Sequence, residues 1–162
     1  MLDSFASGFL VFAYLATALF QLALVLGAPM GEYAFGGQNV GKLRLGYRIG
    51  SAVSFVIMLA LAGHYLAQLG VFTPILGEPQ NSWVNWALVG FAALAALMNN
   101  ITKSEKERRL WGGTTVAMLI AAIIAVSVRV AHHADALDRQ EHREGLRSKF
   151  IPGLAAGIFR VA

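Results

Sequence analysis

Polar side chains inside apolar stretches are the first candidates for chemistry in this sequence. Gln21, His64, Gln68, Asn99 and Asn100 each lie within a long apolar run. An amide or imidazole group is costly in lipid unless it is hydrogen-bonded, so such groups face a bundle interior or a wet cavity. If these groups face one another, they predict a cavity that binds a lipid or another small amphiphile. If they are scattered, they indicate ordinary contacts between helices.

The residue types argue against several kinds of catalysis. His64 has no second histidine on another apolar run to share a b-type haem, and no Asp or Glu lies within a run to couple transport to protons. The absence of cysteine removes thiolate nucleophiles and iron–sulfur ligation. His132, His133, Asp135 and His142 are explained as well by a solvated helix as by a metal site. No catalytic residue, metal or cofactor is therefore predicted.

The most distinctive segment, residues 27–42, follows the first apolar run and reads GAPMGEYAFGGQNVGK. Its glycines permit tight turns whose backbone amides, with Lys42 and Arg44 nearby, suit a lipid phosphate. Glu32 and Tyr33 complete this candidate binding loop at the depth of the headgroups. The alternative is a purely structural turn that closes the bundle.

Four apolar runs must position these groups, and they cover about residues 5–28, 49–69, 83–101 and 110–128. About 20 helical residues cross a hydrocarbon core of roughly 30 Å. None of the runs alternates with the period of two that barrel strands require. The sequence therefore predicts an all-α integral membrane protein, with a four-helix transmembrane bundle over residues 1–130.

The last helix has a recognisable start. Ser104 and Glu107 have the S-x-x-E spacing of a capping box, in which the serine side chain accepts a hydrogen bond from a backbone amide of the first turn. We therefore expect this helix to begin before the fourth apolar run and to enter the membrane at Trp111.

Composition agrees with a membrane protein. The 162 residues are 57% hydrophobic and 14% charged, whereas soluble domains have about 45–50% and about 25%. These values exclude a disordered chain, a coiled coil and a disulfide scaffold. The net charge of +4 comes from basic residues in short loops, without a basic patch interleaved with aromatics, so no nucleic-acid partner is expected.

The basic residues also predict orientation. Two loops carry most of those that precede the tail: Lys42, Arg44, Arg48, Lys103, Lys106, Arg108 and Arg109. The positive-inside rule places loops 29–48 and 102–109 in the cytoplasm and both termini outside. The tail is basic too and opposes this orientation, but early segments usually dominate.

A stripe of small residues marks the fourth run. Gly113, Ala117, Ala121 and Ala125 recur every four residues, so they share one face of a helix. Small residues let membrane helices approach closely. The stripe predicts close packing, either within the bundle or against a partner subunit.

The C-terminal tail, residues 131–162, differs from the bundle. Residues 131–149 are charged with alternating signs and predict a helix that leaves the membrane. Residues 150–159 are apolar again but too few to span, and Pro152 argues against a long regular helix there. This segment is expected at the membrane interface or against a partner, and a disordered end is the alternative.

Two phrases of the sequence resemble a known group. The segment from Phe20 to Gly37 is similar to the GAP-x-G-x-x-A-x-GG loop of small, uncharacterised bacterial four-span membrane proteins, which often have Trp in place of Met30. Residues 99–108, with Trp111, resemble the loop before the last span of that group. The resemblance implies a bacterial origin and four spans, and it carries no activity.

These observations predict a non-enzymatic protein of the bacterial inner membrane that serves as an accessory or scaffold subunit. Its expected partners are membrane lipids and either another protein or further copies of itself. The alternative is a small membrane enzyme or carrier, whose polar cavity would be lined by the amides, His64 and the glycine loop.

Overall fold

The computed structural model describes the backbone of residues 1–77 and 80–158, and side chains as far as residue 145. All regular structure in this part of the chain is helical. The long helices are α1 (Leu2–Leu26), α2 (Leu45–Gln68), α3 (Gln80–Ile101) and α5 (Gly113–Ile158). One short turn, α4 (Glu105–Glu107), precedes a π-helical turn over Arg108–Gly112.

Four helical stretches are long and apolar enough to cross a membrane. They are Leu2–Leu26, Leu45–Gln68, Gln80–Ile101 and Glu105–Gly145. The predicted all-helical fold with four candidate spans is confirmed at this level. Each of these four stretches begins before the apolar run that predicted it, because polar residues before the run, such as Asp3, are helical as well.

Helix α1 ends in a Schellman motif. Gly27 adopts a left-handed conformation, and its amide donates to Leu24 O at 3.1 Å. The amide of Ala28 donates to Ala23 O at 2.9 Å, which completes the motif. Arg48, from α2, then donates Nε and Nη2 to the free carbonyl of Val25 at 2.9 and 2.6 Å. A cation at this position also complements the negative end of the helix dipole.

The loop between α1 and α2 has a small core of its own. Leu24, Ala34 and Leu43 are buried together, and the amide of Gly31 donates to Gly41 O at 2.8 Å across the loop. Phe20 packs against this cluster from α1. The glycine-rich segment is therefore a compact element with internal hydrogen bonds.

The predicted cap before the last helix is present. Ser104 Oγ accepts the amide of Glu107 at 3.2 Å. In a simple capping box the glutamate side chain would accept the amide of Ser104 directly. Here the Thr102 hydroxyl lies between them: it accepts the Ser104 amide at 3.3 Å and donates to Glu107 Oε2 at 2.7 Å. Thr102 thus links the two arms of the cap.

The main core draws on all four candidate spans within residues 1–126. Its buried members include Leu10, Tyr14, Ala62, Tyr65, Leu88, Ala92, Ala121, Ala122 and Ala125. Alanines dominate, so the helices approach closely. Tyr14 and Tyr65 stack at the centre, with ring centroids 6.0 Å apart.

The chain divides into two compact units, Met1–Val126 and Ser127–Ala162. The described side chains from 130 to 145 in the second unit are exposed. Arg139 Nε donates to the backbone carbonyl of Asp135 at 3.1 Å. Helix α5 runs to Ile158 and so passes Pro152, whereas the sequence argued against a long regular helix there. A proline lacks its own N–H donor and crowds the carbonyl four residues earlier, so it can kink a helix without ending it. The side chains of the apolar segment 150–159 lie outside the described residues.

Gly37 gives a test of the fold. Its φ is +69°, and a Cβ there would overlap the side chain of Ser104. We expect Gly37→Ala to lower the free energy of unfolding, by roughly 1–2 kcal/mol for the left-handed backbone and about 1–3 kcal/mol for overpacking. Denaturant unfolding in detergent micelles measures the change.

Gly46→Ala is the matched control, because a Cβ at this helical position meets nothing within 4 Å. Alanine there should be neutral or slightly stabilising, by up to about 1 kcal/mol. Equal stability of the two variants would contradict the close approach at Gly37.

Candidate functional site

The two segments that the sequence singles out lie against each other. Ser104 Oγ donates to the carbonyl of Glu32 at 2.8 Å, and Trp111 Nε1 donates to the carbonyl of Tyr33 at 2.9 Å. Lys106 Nζ also forms an ion pair with the carboxylate of Glu32. We call residues 27–44 and 102–112 together the joined loops. These contacts place both loops at the same end of the bundle.

The ion pair helps to hold the joined loops in register. The hydrogen bond to Glu32 raises the pKa of Lys106 above its ordinary value, because it favours the charged ammonium form. The Lys106 ammonium also lies 5.9 Å from the centroid of the Tyr33 ring, within the range of a cation–π contact. Because this lysine is exposed, the pair orients the loops and adds little to stability.

A partly open cavity of about 170 Å³ lies beneath the joined loops, between α1, α2, α3 and α5. We call it the inter-helix cavity. Its wall is mostly aromatic, aliphatic and thioether, with a few polar groups. The lining residues are Tyr14, Thr17, Phe20, Gln21, Ala34, Met58, Phe91, Ala92, Ala95, Asn99, Trp111, Thr115 and Met118.

Trp111 connects the joined loops to the cavity. It lies in the π-helical turn, a distortion that is frequent at functional sites. Its indole meets the ring of Phe20 edge to face, with centroids 4.9 Å apart. The carbonyls of this turn are satisfied by side chains, since Thr115 donates to Trp111 O at 2.7 Å and Asn100 donates to Gly112 O at 3.2 Å.

Two polar atoms at the cavity are left without partners among the described residues. Tyr14 is only 1% exposed, and its hydroxyl makes no hydrogen bond there. The side-chain oxygen of Gln21, Oε1, is buried and also makes none. A buried polar group without a partner costs about 1–3 kcal/mol. Because both residues line the cavity, a bound molecule that pairs with either group would recover part of this cost.

The other polar side chains of the wall donate to carbonyls of their own helices. Thr17 Oγ1 donates to Ala13 O at 2.8 Å, and Asn99 Nδ2 donates to Ala95 O at 2.8 Å. Thr115 does the same within α5. The hydroxyls of Thr17 and Thr115 consequently offer only acceptor lone pairs to a ligand, and among the described lining residues none is charged. It suits a neutral ligand that can donate a hydrogen bond.

The predicted site residues fall into separate places. Gln21 and Asn99 line the cavity, as the cavity hypothesis requires. Asn100 supports the π-helical turn, and Glu32 and Tyr33 join the loops. Lys42 and Arg44, the two residues predicted to bind a phosphate, are both exposed. The side chain of Lys42 lies over Gly27, and Arg44 comes just before α2.

His64 belongs to a second polar cluster on α2 and α3. Its Nε2 lies 3.0 Å from Asn85 Oδ1, and the same oxygen accepts Gln68 Nε2 at 2.5 Å. The cluster borders a different cavity, which the loop from Phe72 to Leu76 also lines. The polar residues of the spans therefore do not share one cavity.

Sequence reasoning missed Tyr14 and Asn85. Asn85 meets the criterion that selected Asn99, an amide within an apolar run, and could have been found in that way. Tyr14 gives no such signal, because tyrosine occurs at many positions in membrane helices and only packing shows which hydroxyls are buried. Among the described residues, no group of three or more His, Cys, Asp or Glu side chains could hold a metal.

Trp111→Phe tests the link between loops and cavity. Phenylalanine retains a ring against Phe20 but leaves the Tyr33 carbonyl without its donor, so we expect a loss of about 1–3 kcal/mol in the free energy of unfolding. The control is Trp86→Phe, since Trp86 is 51% exposed. Denaturant unfolding in detergent compares them. A loss that is no larger for Trp111→Phe than for the control would show that the indole bond is dispensable.

Comparisons with protein-family models, with curated proteins and with solved structures find no match to this chain. The resemblance of the two loop motifs to small bacterial four-span proteins thus stays a prediction from the sequence. The joined loops and the inter-helix cavity are the observations that bear on function.

Proposed function

We propose that this chain is a multi-pass membrane protein that binds a small neutral amphiphile in the inter-helix cavity. One observation carries the proposal: Tyr14 is fully buried at the cavity, and its hydroxyl has no partner among the described residues. Polar groups in lipid are retained where they meet a ligand, a partner or water. The buried Gln21 oxygen at the same cavity is the second group that such a ligand would bond.

The membrane setting of the proposal is supported by the surface of the described helices. Large apolar side chains such as Phe5, Phe12, Leu19, Val56 and Leu94 are more than half exposed. A soluble protein rarely exposes so much contiguous apolar surface, whereas lipid tails cover it without cost. The resemblance implies a bacterial origin, and the location that we propose is the bacterial inner membrane.

Orientation belongs to the same proposal. The contacts between the joined loops gather their basic residues at one end of the bundle. The described part of the opposite loop, Gly70–Gly77, has no basic residue. The positive-inside rule then puts loops 29–48 and 102–109 in the cytoplasm, with the N-terminus outside.

Binding, as opposed to catalysis, is what the lining residues can do. Among the described residues around the cavity there is no carboxylate, imidazole or amine to act as general acid or base near neutral pH. The hydroxyls of Thr17 and Thr115 have no neighbouring base to activate them as nucleophiles. A carrier, or a subunit that holds a lipid, fits these residues.

An accessory subunit is the second candidate, favoured by an apolar groove of about 230 Å³ between α1 and α5. Ala6, Ala117 and Ala121 lie in it, flanked by Phe5 and Phe9. Small residues beside aromatic rings suit the close approach of another membrane helix. Within the predicted stripe Ala121 and Ala125 are buried, but Gly113 is exposed with open space around it.

Purification in mild detergent from the native membrane tests both candidates. Mass spectrometry should find a neutral amphiphile bound to the protein. Its occupancy should fall in Tyr14→Phe with Gln21→Leu, because two hydrogen bonds of about 1 kcal/mol each are lost, which together weaken binding roughly thirtyfold. Tyr47→Phe with Gln38→Leu is the matched control, since neither residue lines the cavity.

Equal occupancy in the two double variants would contradict binding at the inter-helix cavity. A stoichiometric protein partner that survives in both, without a bound amphiphile, would favour the accessory subunit instead. In that case Ala117, which lines the groove and is half-buried, is the position at which a leucine should release the partner.

Orientation is tested by cysteine labelling, which is clean because the chain has no cysteine of its own. Gly77→Cys and Lys103→Cys place single thiols on exposed positions of opposite loops. A membrane-impermeant maleimide added to intact spheroplasts should label Gly77→Cys alone. Labelling of Lys103→Cys only after lysis completes the expected pattern, and labelling of both before lysis would contradict the four spans.

A further inference from the structure

We infer that the ligand of the inter-helix cavity is an amphiphile with a phenol-type head, a single ring that carries a free hydroxyl. This inference rests on the proposed function and names the class of ligand. It uses the volume of the cavity, the chemistry of its wall and the balance of its donors and acceptors.

Volume limits the head of the ligand to about one ring. The cavity measures about 170 Å³, and an apolar protein cavity of about 150 Å³ takes up one benzene molecule. A phospholipid headgroup with its glycerol exceeds this space. Because the cavity is partly open, an alkyl tail on the ring can extend out of it.

The wall favours a flat ring over a flexible chain. Phe20, Phe91 and Trp111 present rings to the cavity, and Met58 and Met118 add thioether groups. Aromatic rings and thioethers both make favourable contacts with a further aromatic ring, beyond the area that they bury. The indole of Trp111 is held in place by its bond to Tyr33, so this part of the wall is formed before the ligand binds.

The balance of hydrogen-bonding groups calls for a ligand that donates. Gln21 Oε1 is a buried acceptor without a partner among the described residues, and one N–H of the Asn99 amide already donates to the Ala95 carbonyl. The Tyr14 hydroxyl can either donate or accept. A ligand hydroxyl can donate to the Gln21 oxygen and accept from Tyr14, whereas a ring ketone, ether or ester only accepts and would leave the Gln21 oxygen unpaired.

Charge argues for a neutral head. None of the described side chains around the cavity carries a charge that would pair with an ammonium or carboxylate group. Transfer of an unpaired ion into such a site is far more costly than transfer of a hydroxyl. Phenols stay neutral near pH 7, since their pKa is about 10.

The experiment titrates defined probes into the full-length protein in lipid nanodiscs. The chain has three tryptophans, and Trp83→Phe with Trp86→Phe leaves Trp111 as the fluorescent reporter at the cavity. The probes are 4-hexylphenol, its methyl ether 4-hexylanisole, hexylbenzene and decanol, compared at equal mole fraction in the lipid. We expect saturable quenching by 4-hexylphenol, with a Kd at least about tenfold below that of the methyl ether and of hexylbenzene.

Variants assign the site. Tyr14→Phe and Gln21→Leu should each raise the Kd of 4-hexylphenol about tenfold, as expected for one hydrogen bond in a dry site, and leave that of hexylbenzene unchanged. Tyr47→Phe is the control that should change neither. If Gln21→Leu impairs folding, Gln21→Met keeps the length of the side chain and removes its oxygen.

The outcomes separate the two proposals. Saturable binding of decanol with an affinity equal to that of 4-hexylphenol would overturn the ring and leave the amphiphile site intact. Equal binding of the phenol and its methyl ether would overturn the donated hydrogen bond. If no probe binds saturably, the cavity holds water only, and the proposed function and the phenol-type ligand both fail.

Discussion

The bond from Trp111 Nε1 to the Tyr33 carbonyl is the contact on which the rest of the site depends. Near an apolar core, neither an indole N–H nor a loop carbonyl can be left unpaired without cost. Pairing them joins two loops that are distant in sequence and sets the plane of the indole against Phe20. The π-helical turn that presents Trp111 is compatible with this position because side chains of neighbouring residues bond to its carbonyls.

This joining gives the glycine-rich loop a structural role that its composition also suggested. Its own core around Leu24 and Leu43 keeps it compact, and Gly37 allows the segment that begins at Ser104 to approach closely. Ser104 then serves two purposes, since one hydroxyl caps the last helix and bonds the carbonyl of Glu32. The loop is thus both the turn that closes the bundle and the roof of the inter-helix cavity.

The polar groups of the spans separate into two sets because they lie toward different ends of the helices. Gln21 and Asn99 lie near the ends of α1 and α3 that meet the joined loops, whereas His64 and Asn85 lie near the other ends of α2 and α3. Tyr14 stacks on Tyr65, and the ring of Tyr65 packs against His64 with centroids 5.5 Å apart. These rings lie between the inter-helix cavity and the cluster of His64 with Asn85. In that cluster the amides bond to one another and to the imidazole, whereas at the cavity the hydroxyl and the Gln21 oxygen stay open. The cavity is therefore the better candidate for a ligand.

Local signals were enough to predict the helices and some of their ends. The apolar runs predict four spans because helix length must match the membrane, and Ser104 predicts a cap because its partner, Glu107, lies only three residues away. Gln21 and Asn99 could be selected as amides in apolar runs. Which of these amides share a cavity was decided only by tertiary structure, since the rotation of each helix about its axis depends on packing between alanine-rich faces. The pairing of Tyr33 with Trp111, 78 residues apart, likewise exists only once the helices bring both loops to one end.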